Sequence, residues 1–431
     1  MNKNAPTQSV RPERSKGFDN SVGPKSGDDS DNSAHPECDD KSHQSAGPKR
    51  GDEFHNSVRP ERSEGSDLAR PSNPLPRSGR TATEVTPNEA AHNASHDAFR
   101  RKTLVVALVI ATIIFSAFGL AVGSEGFSLT QLRTDLAADD AALILGQIRA
   151  PRTVGALLVG ALLGLAGAIS QGLFRNPLAD PYLLGSAAGA SLGVVLVLAA
   201  GAASGIMISL TTVQWTARIG LVSAAFLGAL IGVTLTLLLA RGAQHTLRLL
   251  LAGVVVGVVL SAITELLATT SADVLRGKQA FMLGNTGFLS WLSVAVLAVG
   301  LGFALPLARV LSRTLDALTL GEDSAATLGL PLAKIRATLV LVLAACTGLA
   351  VSQAGLVAFV GLAAPHLVRR FAPSTHGYVL MMSAAMGGVL LLGADVLARG
   401  VIAPQELPVG VLTALLGGGY LLWLLHRRKF A

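Results

Sequence analysis

Charged side chains make up only 15% of this 431-residue chain, while half of its residues are hydrophobic. That scarcity excludes an ordinary soluble domain, in which about a quarter of the residues carry charge. Cysteine is nearly missing too. Cys38 lies in a polar stretch and Cys346 in an apolar run, so no disulfide framework is expected. No G-x-x-x-x-G-K-[ST] loop occurs, which excludes nucleotide binding and hydrolysis by that route. Metal ligands are not gathered either: His366 and His376 stand apart with no carboxylate between them. Neither a metal nor another cofactor is expected. Carboxylates are almost absent from the apolar runs, with only Glu265 and Asp395 near them, both towards run ends. Gradient-driven carriers place such groups mid-membrane, so an ion-coupled secondary transporter is disfavoured. Asp395 stands four residues before Arg399 and can pair with it along a helix. Uphill movement would then need a partner ATPase.

What the chain has in abundance is long apolar sequence. From Thr103 onward the runs predict an all-α polytopic membrane protein of ten transmembrane helices, since a span needs roughly 20 apolar residues. The predicted spans are 103–123, 153–173, 182–201, 218–240, 248–270, 288–311, 335–352, 355–371, 379–397 and 407–425. An even count puts both termini on one side. With the N-terminus inside, 15 lysines and arginines fall in cytoplasmic segments and seven outside, so both termini are expected in the cytoplasm.

Residues 1–99 form a separate region, rich in Ser, Asp, Asn, Pro, Gly and Arg, that is expected to be disordered. They hold 13 Lys+Arg against 16 Asp+Glu, a net of −3, which leaves +10 of the +7 total to residues 100–431. The basic excess therefore belongs to the membrane part, where it sets orientation, and no nucleic-acid partner is expected. Ser9–Ser15 recurs as Ser57–Ser63, which reads as a duplicated low-complexity extension with no role in transport. No hydrophobic signal core precedes Thr103, so the tail is not expected to be a cleaved secretion signal.

Three local patterns carry more specific information. Arg149-Ala150-Pro151-Arg152 opens the second span, and Gln171 through Arg175-Asn176-Pro177-Leu178-Ala179-Asp180-Pro181 closes it, so both polar ends suit a partner. Within that span Gly155, Gly160, Gly164 and Gly167 let neighbouring backbones approach closely. Between the sixth and seventh spans, Leu318 to Gly329 reads as a short glycine-bounded helix, with Glu322 and Asp323 at its N-terminal end. Such a helix lying across the membrane face can pass rigid-body motion from a docked motor.

Taken in order, these residues resemble the FecCD-type permeases, the membrane subunits of ABC importers for ferric siderophores, haem and vitamin B12. The resemblance covers residues 100–431. Beside the motifs above it rests on Arg248 through Ala252-Gly253, Leu320-Gly321-Glu322 with Ala325 and Leu328-Gly329, and Phe359-Val360-Gly361-Leu362 with Pro365-His366. Gly393-Ala394-Asp395 with Arg399, and Glu406-Leu407-Pro408-Val409-Gly410, complete it. The chain departs from the family at Gly417-Gly418-Gly419-Tyr420-Leu421, where a proline is usual, and at Phe281-Met282-Leu283-Gly284, where a tryptophan is common.

The resemblance implies a homodimeric or paired permease in membrane lipid, two cytoplasmic ABC ATPase subunits and an external substrate-binding protein. It implies docking of that protein on exposed Arg149, Arg152 and Arg399, because arginine can hold a carboxylate bidentately. It implies coupling to the ATPases through Leu318, Leu320, Gly321, Glu322, Ala325, Leu328 and Gly329. His245 and Thr246 correspond to a cytoplasmic gate, and Glu265 on the fifth span becomes a candidate for the pathway vestibule. The chain itself is then no enzyme. Its cargo would be a ferric siderophore or related iron complex, with haem or vitamin B12 as alternatives. An ion-driven carrier is the competing class, and an intramembrane enzyme is opposed by the lack of a base beside His366.

Overall fold

The computed structural model describes residues 87–123, 141–205, 215–242, 246–321, 325, 327 and 331–428, and helices hold most of them. The helix α1 (Pro87–Ala121) starts inside the segment expected to be disordered. A π-helical turn, Ile144–Arg149, leads into α2 (Ala150–Phe174). Pro151, which has no N–H and whose ring crowds the preceding turn, sits at that junction.

The Arg-Asn-Pro stretch after α2 is a capped turn rather than a loose loop. Arg175 ends the helix in the left-handed region at φ 48°. The Asn176 carboxamide accepts the Leu178 N–H at 2.9 Å, and the Asp180 carboxylate accepts the Tyr182 N–H at 2.7 Å. That second bond caps a 3₁₀ turn, Pro181–Leu184, from which α3 (Ser186–Ala203) departs. Side chains with short reach thus fix the reversal, which explains why Asn, Asp and two prolines occur together here.

The remaining helices are α4 (Trp215–Leu239), α5 (Thr246–Ala268), α6 (Ala272–Leu283), α7 (Trp291–Thr319), α8 (Leu332–Ala354), α9 (Val360–Phe371), α10 (His376–Gly400) and α11 (Val409–Arg428). Each predicted span coincides with one of α1–α5 or α7–α11. The sequence reading missed α6, a 12-residue helix capped by Ser271 with Arg276 and Asp273 on its exposed side. It is too short and too polar to register as a span.

Among the described residues eight helices are long and apolar enough to cross a membrane. The expected span 355–371 is different: only Val360–Phe371 is helical, 12 residues or about 18 Å against a hydrocarbon core of about 30 Å. The preceding residues replace the missing helix with protein-buried backbone. The Leu356 N–H donates to the Phe281 carbonyl at 3.0 Å, and Tyr182 Oη donates to the Val357 carbonyl at 3.0 Å. Non-helical backbone survives at membrane depth only when satisfied in this way. Gly355, at φ 69°, makes the turn from α8 into this segment, and a Cβ there would lie 2.5 Å from the Phe281 carbonyl.

The core lies around α2, against which α7, α8, α9 and α10 pack. Leu162, Leu163, Leu165 and Ile169 are almost fully enclosed. In lipid the tails are as apolar as leucine, so tight packing rather than water exclusion must hold helices together. The glycines supply that packing. A Cβ on Gly160 would meet the Gly387 carbonyl at 2.3 Å, and α2 and α10 are held backbone to backbone.

Candidate functional site

At the N-terminal end of α2 a buried charge knot ties five segments together. Arg152 Nε donates to Asp395 Oδ1 at 3.0 Å, and its Nη1 donates to Glu406 Oε1 at 2.8 Å. Arg399 Nη2 donates to Asp395 Oδ2 at 2.6 Å, while its Nη1 donates to the Gly119 carbonyl at 2.9 Å. The Thr286 hydroxyl adds a bond to Asp395 Oδ1. Two arginines meet two carboxylates, so the knot is neutral, and Asp395 is completely enclosed. It joins α2 and α10 to the end of α1, the loop before α7 and the α10–α11 connection.

This arrangement corrects the expected exposure of the docking arginines. Arg149 and Arg399 are buried, and Arg149 Nη1 donates to the Leu120 carbonyl at 3.1 Å. Arg152 turns inward as well. The expected Asp395–Arg399 pair is present. Thr286 had no signal in the sequence, whereas Glu406 stood in a quoted motif without a role.

The opposite end of α2 is held by polar side chains bonded to backbone. Gln171 Nε2 donates to the Leu362 carbonyl at 3.0 Å, and its Oε1 accepts from Arg369. Arg175 Nη1 donates to the Leu318 carbonyl at 3.4 Å. Asp316 Oδ1 accepts the His376 N–H at 2.9 Å and lies 2.8 Å from Nδ1 of the same residue, which caps α10. These contacts fix the start of the expected coupling segment. Leu318 and Ala325 are buried, Leu320 between them is 71% exposed, and Gly321 turns the chain at φ 111°. The Ala325 N–H donates to the Gly321 carbonyl at 3.1 Å. Glu322, Leu328 and Gly329 lie outside the described residues.

A third feature runs along α5. A groove of about 560 Å³ is lined by small and aliphatic residues of α3 and α5, including Gly185, Gly253, Gly257 and Ser261. Glu265 and Lys278 pair at one of its ends, across α5 and α6. The sequence reading had Glu265 without its partner, because α6 was not foreseen. At the far end of α5, Thr246 is the first helical residue, and Arg241 and Arg248 flank a smaller cavity of about 400 Å³. His245 lies outside the described residues. Among the described residues no group of three His, Cys, Asp or Glu could hold a metal ion.

The geometry is a close-packed helical body with a braced end, the start of the expected coupling segment at the other end and a polar-tipped groove on one flank. Comparison with known proteins gives it a family. The chain is 36% identical over 332 residues to the hemin transport system permease protein HmuU of Yersinia pestis, covering 76% of this chain and 96% of that one. It is 40% identical over 293 residues to the vitamin B12 import system permease protein BtuC of Klebsiella pneumoniae, covering 67% and 83% respectively. An inward-facing structure assigned to the metal-chelate type of ABC transporter superposes with a TM-score of 0.66 at 26% identity, over 76% of this chain and 99% of that one. The FecCD transport family model matches residues 108–427, and the chain belongs to that family.

Proposed function

We propose that this permease carries a ferric siderophore or related iron complex inward through the cytoplasmic membrane. Two copies enclose the route, with the α5 groove on its wall and Glu265 at its outer mouth. Both termini lie in the cytoplasm. Two ATPase subunits grip the segment from Leu318 to Gly329, and Thr246 with His245 belongs to the inner gate.

The observation that carries this reading is Leu320, an exposed leucine held between the buried anchors Leu318 and Ala325. An exposed apolar side chain held between buried anchors is a ready knob for a partner's pocket. Because Arg175 bonds the Leu318 carbonyl, a push on Leu320 reaches the end of α2 through one short chain of contacts. Alternating access follows when ATP closes the motor dimer and shifts that end of the bundle.

Docking of a substrate-binding protein at Arg149, Arg152 and Arg399 then takes a particular form. A partner carboxylate reaches Arg152 by displacing Glu406, the half-exposed member of the knot, and leaves Asp395 in place. A second reading, haem or vitamin B12 as cargo, is favoured by the names of the two relatives.

Reconstitution with the cognate ATPase and binding protein tests the proposal. ATP-dependent accumulation of a ferric siderophore is expected, with Leu320→Asp abolishing uptake while the protein stays folded. Uptake that persists without an ATPase and collapses with an uncoupler would sink it. Accumulation of haem or cobalamin in place of the iron complex would keep the mechanism and change the cargo.

A further inference from the structure

Two adjoining cavities of about 210 and 380 Å³ are both lined by Arg218, Val222 and Gln353; α3, α4, α6 and α8 bound the smaller, and α4, α7 and α8 the larger. Their chemistry is ordered along α4. On α4, Arg218, Val222 and Phe226 recur every four residues, so they form one stripe about 12 Å long with the cation at the top. On α8, Gln353 stands one turn beyond Leu349 at the same end. Val296 of α7 completes the apolar wall. Asn285 joins Arg218 and Gln353 at the mouth.

These polar groups are not used by the protein itself. Among the described residues neither the Arg218 guanidinium nor the Gln353 carboxamide makes a hydrogen bond or ion pair. Asn285 spends only its oxygen, which accepts the Gly287 N–H at 2.6 Å, and leaves its amide donors. A guanidinium at the edge of the hydrocarbon needs an anion, since an uncompensated charge there is strongly unfavourable. Neither cavity lining contains a carboxylate to supply one. Pairing of two copies through this face would set Arg218 against its own symmetry mate.

We infer that this cleft is a binding site for one anionic phospholipid. Arg218, Gln353 and Asn285 take the headgroup phosphate, and an acyl chain follows the Val222–Phe226 stripe between α4, α7 and α8. Positive charge at the mouth and apolar walls below match that ligand in order and direction, and a membrane always supplies it. The site shares none of the groove's lining residues and does not depend on which cargo is carried.

Native mass spectrometry of the purified full-length chain tests it, with phosphatidylglycerol and phosphatidylcholine added at equal concentration. The expected ratio of bound phosphatidylglycerol to phosphatidylcholine is about five or more, the discrimination that one interfacial cation provides. Arg218→Gln is expected to bring the ratio to about one, and Arg218→Lys to preserve most of it. Val222→Trp, which fills the apolar wall, should reduce binding of both lipids. A wild-type ratio near one overturns the proposal without any variant. So does a preference that survives Arg218→Gln, or competition by free glycerol phosphate as strong as by intact lipid.

Discussion

The second and fifth α-helices are both apolar along their length, yet their surroundings differ sharply. In α2, 83% of the membrane-crossing window is buried within the protein, against 33% in α5. The difference shows in their glycines. On α2 a Cβ at Gly160, Gly164 or Gly167 would fall within 2.3 Å of a carbonyl oxygen; on α5 only Gly253 is so crowded, by the Leu183 carbonyl at 2.3 Å, and at Gly257 a Cβ would meet nothing within 4 Å. Hydropathy therefore reports only that a helix can sit in a bilayer. Glycine that no side chain could replace reports that another backbone lies against it.

The sharpest way to break this contrast is to add a side chain to each helix. Gly160→Val forces α2 off the Gly387 carbonyl of α10, and a loss of about 3 kcal/mol or more is expected. Little monodisperse protein should survive extraction. Gly257→Val should leave yield and thermal midpoint in detergent nearly unchanged. Equal losses at the two sites would remove the distinction between a buried axis and an open flank.

Charge gives the next largest contrast. Asp395 is completely buried between Arg152 and Arg399, while the Glu265 side chain is 66% exposed beside Lys278. Asp395→Ala leaves two enclosed guanidinium groups short of a partner, and about 3–5 kcal/mol of destabilisation is expected. Glu265→Ala should cost less than about 1 kcal/mol. Replacing Asp395 and Arg399 together by leucines retains the neutral Arg152–Glu406 pair, so thermal unfolding should recover much of the loss. An additive double variant would show that the two residues do not act as a unit.

Smaller still is the cap on α10. Asp316→Ala removes the acceptor of the His376 N–H, and about 1 kcal/mol is expected from a lost helix cap. The same substitution loosens the end of α7 that leads into Leu318, so uptake should fall more than stability does. Loss of stability with unchanged uptake per folded molecule would separate Asp316 from coupling.

The sequence revealed the helices that cross the membrane because their signal is local: long apolar runs with charged ends. It revealed the Asp395–Arg399 pair for the same reason, as a contact four residues apart on one helix. Thr286 and Arg152 reach Asp395 from 109 and 243 residues away, and nothing local announces such meetings. The exposure of the arginines was misjudged because a charge at a helix end reads as a surface group unless its partner is known. The half-length α9 was also hidden. Leu356 to Phe359 are apolar enough to pass for helix, and only the Tyr182 hydroxyl donor and the Phe281 carbonyl acceptor reveal them as non-helical backbone satisfied by the protein.

Glu265 and Lys278 sharpen the comparison at its weakest point, where no loss of fold is expected. Glu265 neutralises Lys278 at the end of the α5 groove, so the groove presents no free cation there. Glu265→Gln leaves the ammonium without its carboxylate and makes the mouth attractive to anions. An anionic iron complex should then be taken up with a KM lowered about two- to fivefold, the yield of one cation near the surface, at unchanged thermal stability. Lys278→Gln should move KM the other way, because Glu265 then repels the same cargo. A cargo without net negative charge should be indifferent to both changes. Identical kinetics in the two variants with an anionic cargo would take the pair off the route, and α5 would then be open only because lipid covers it.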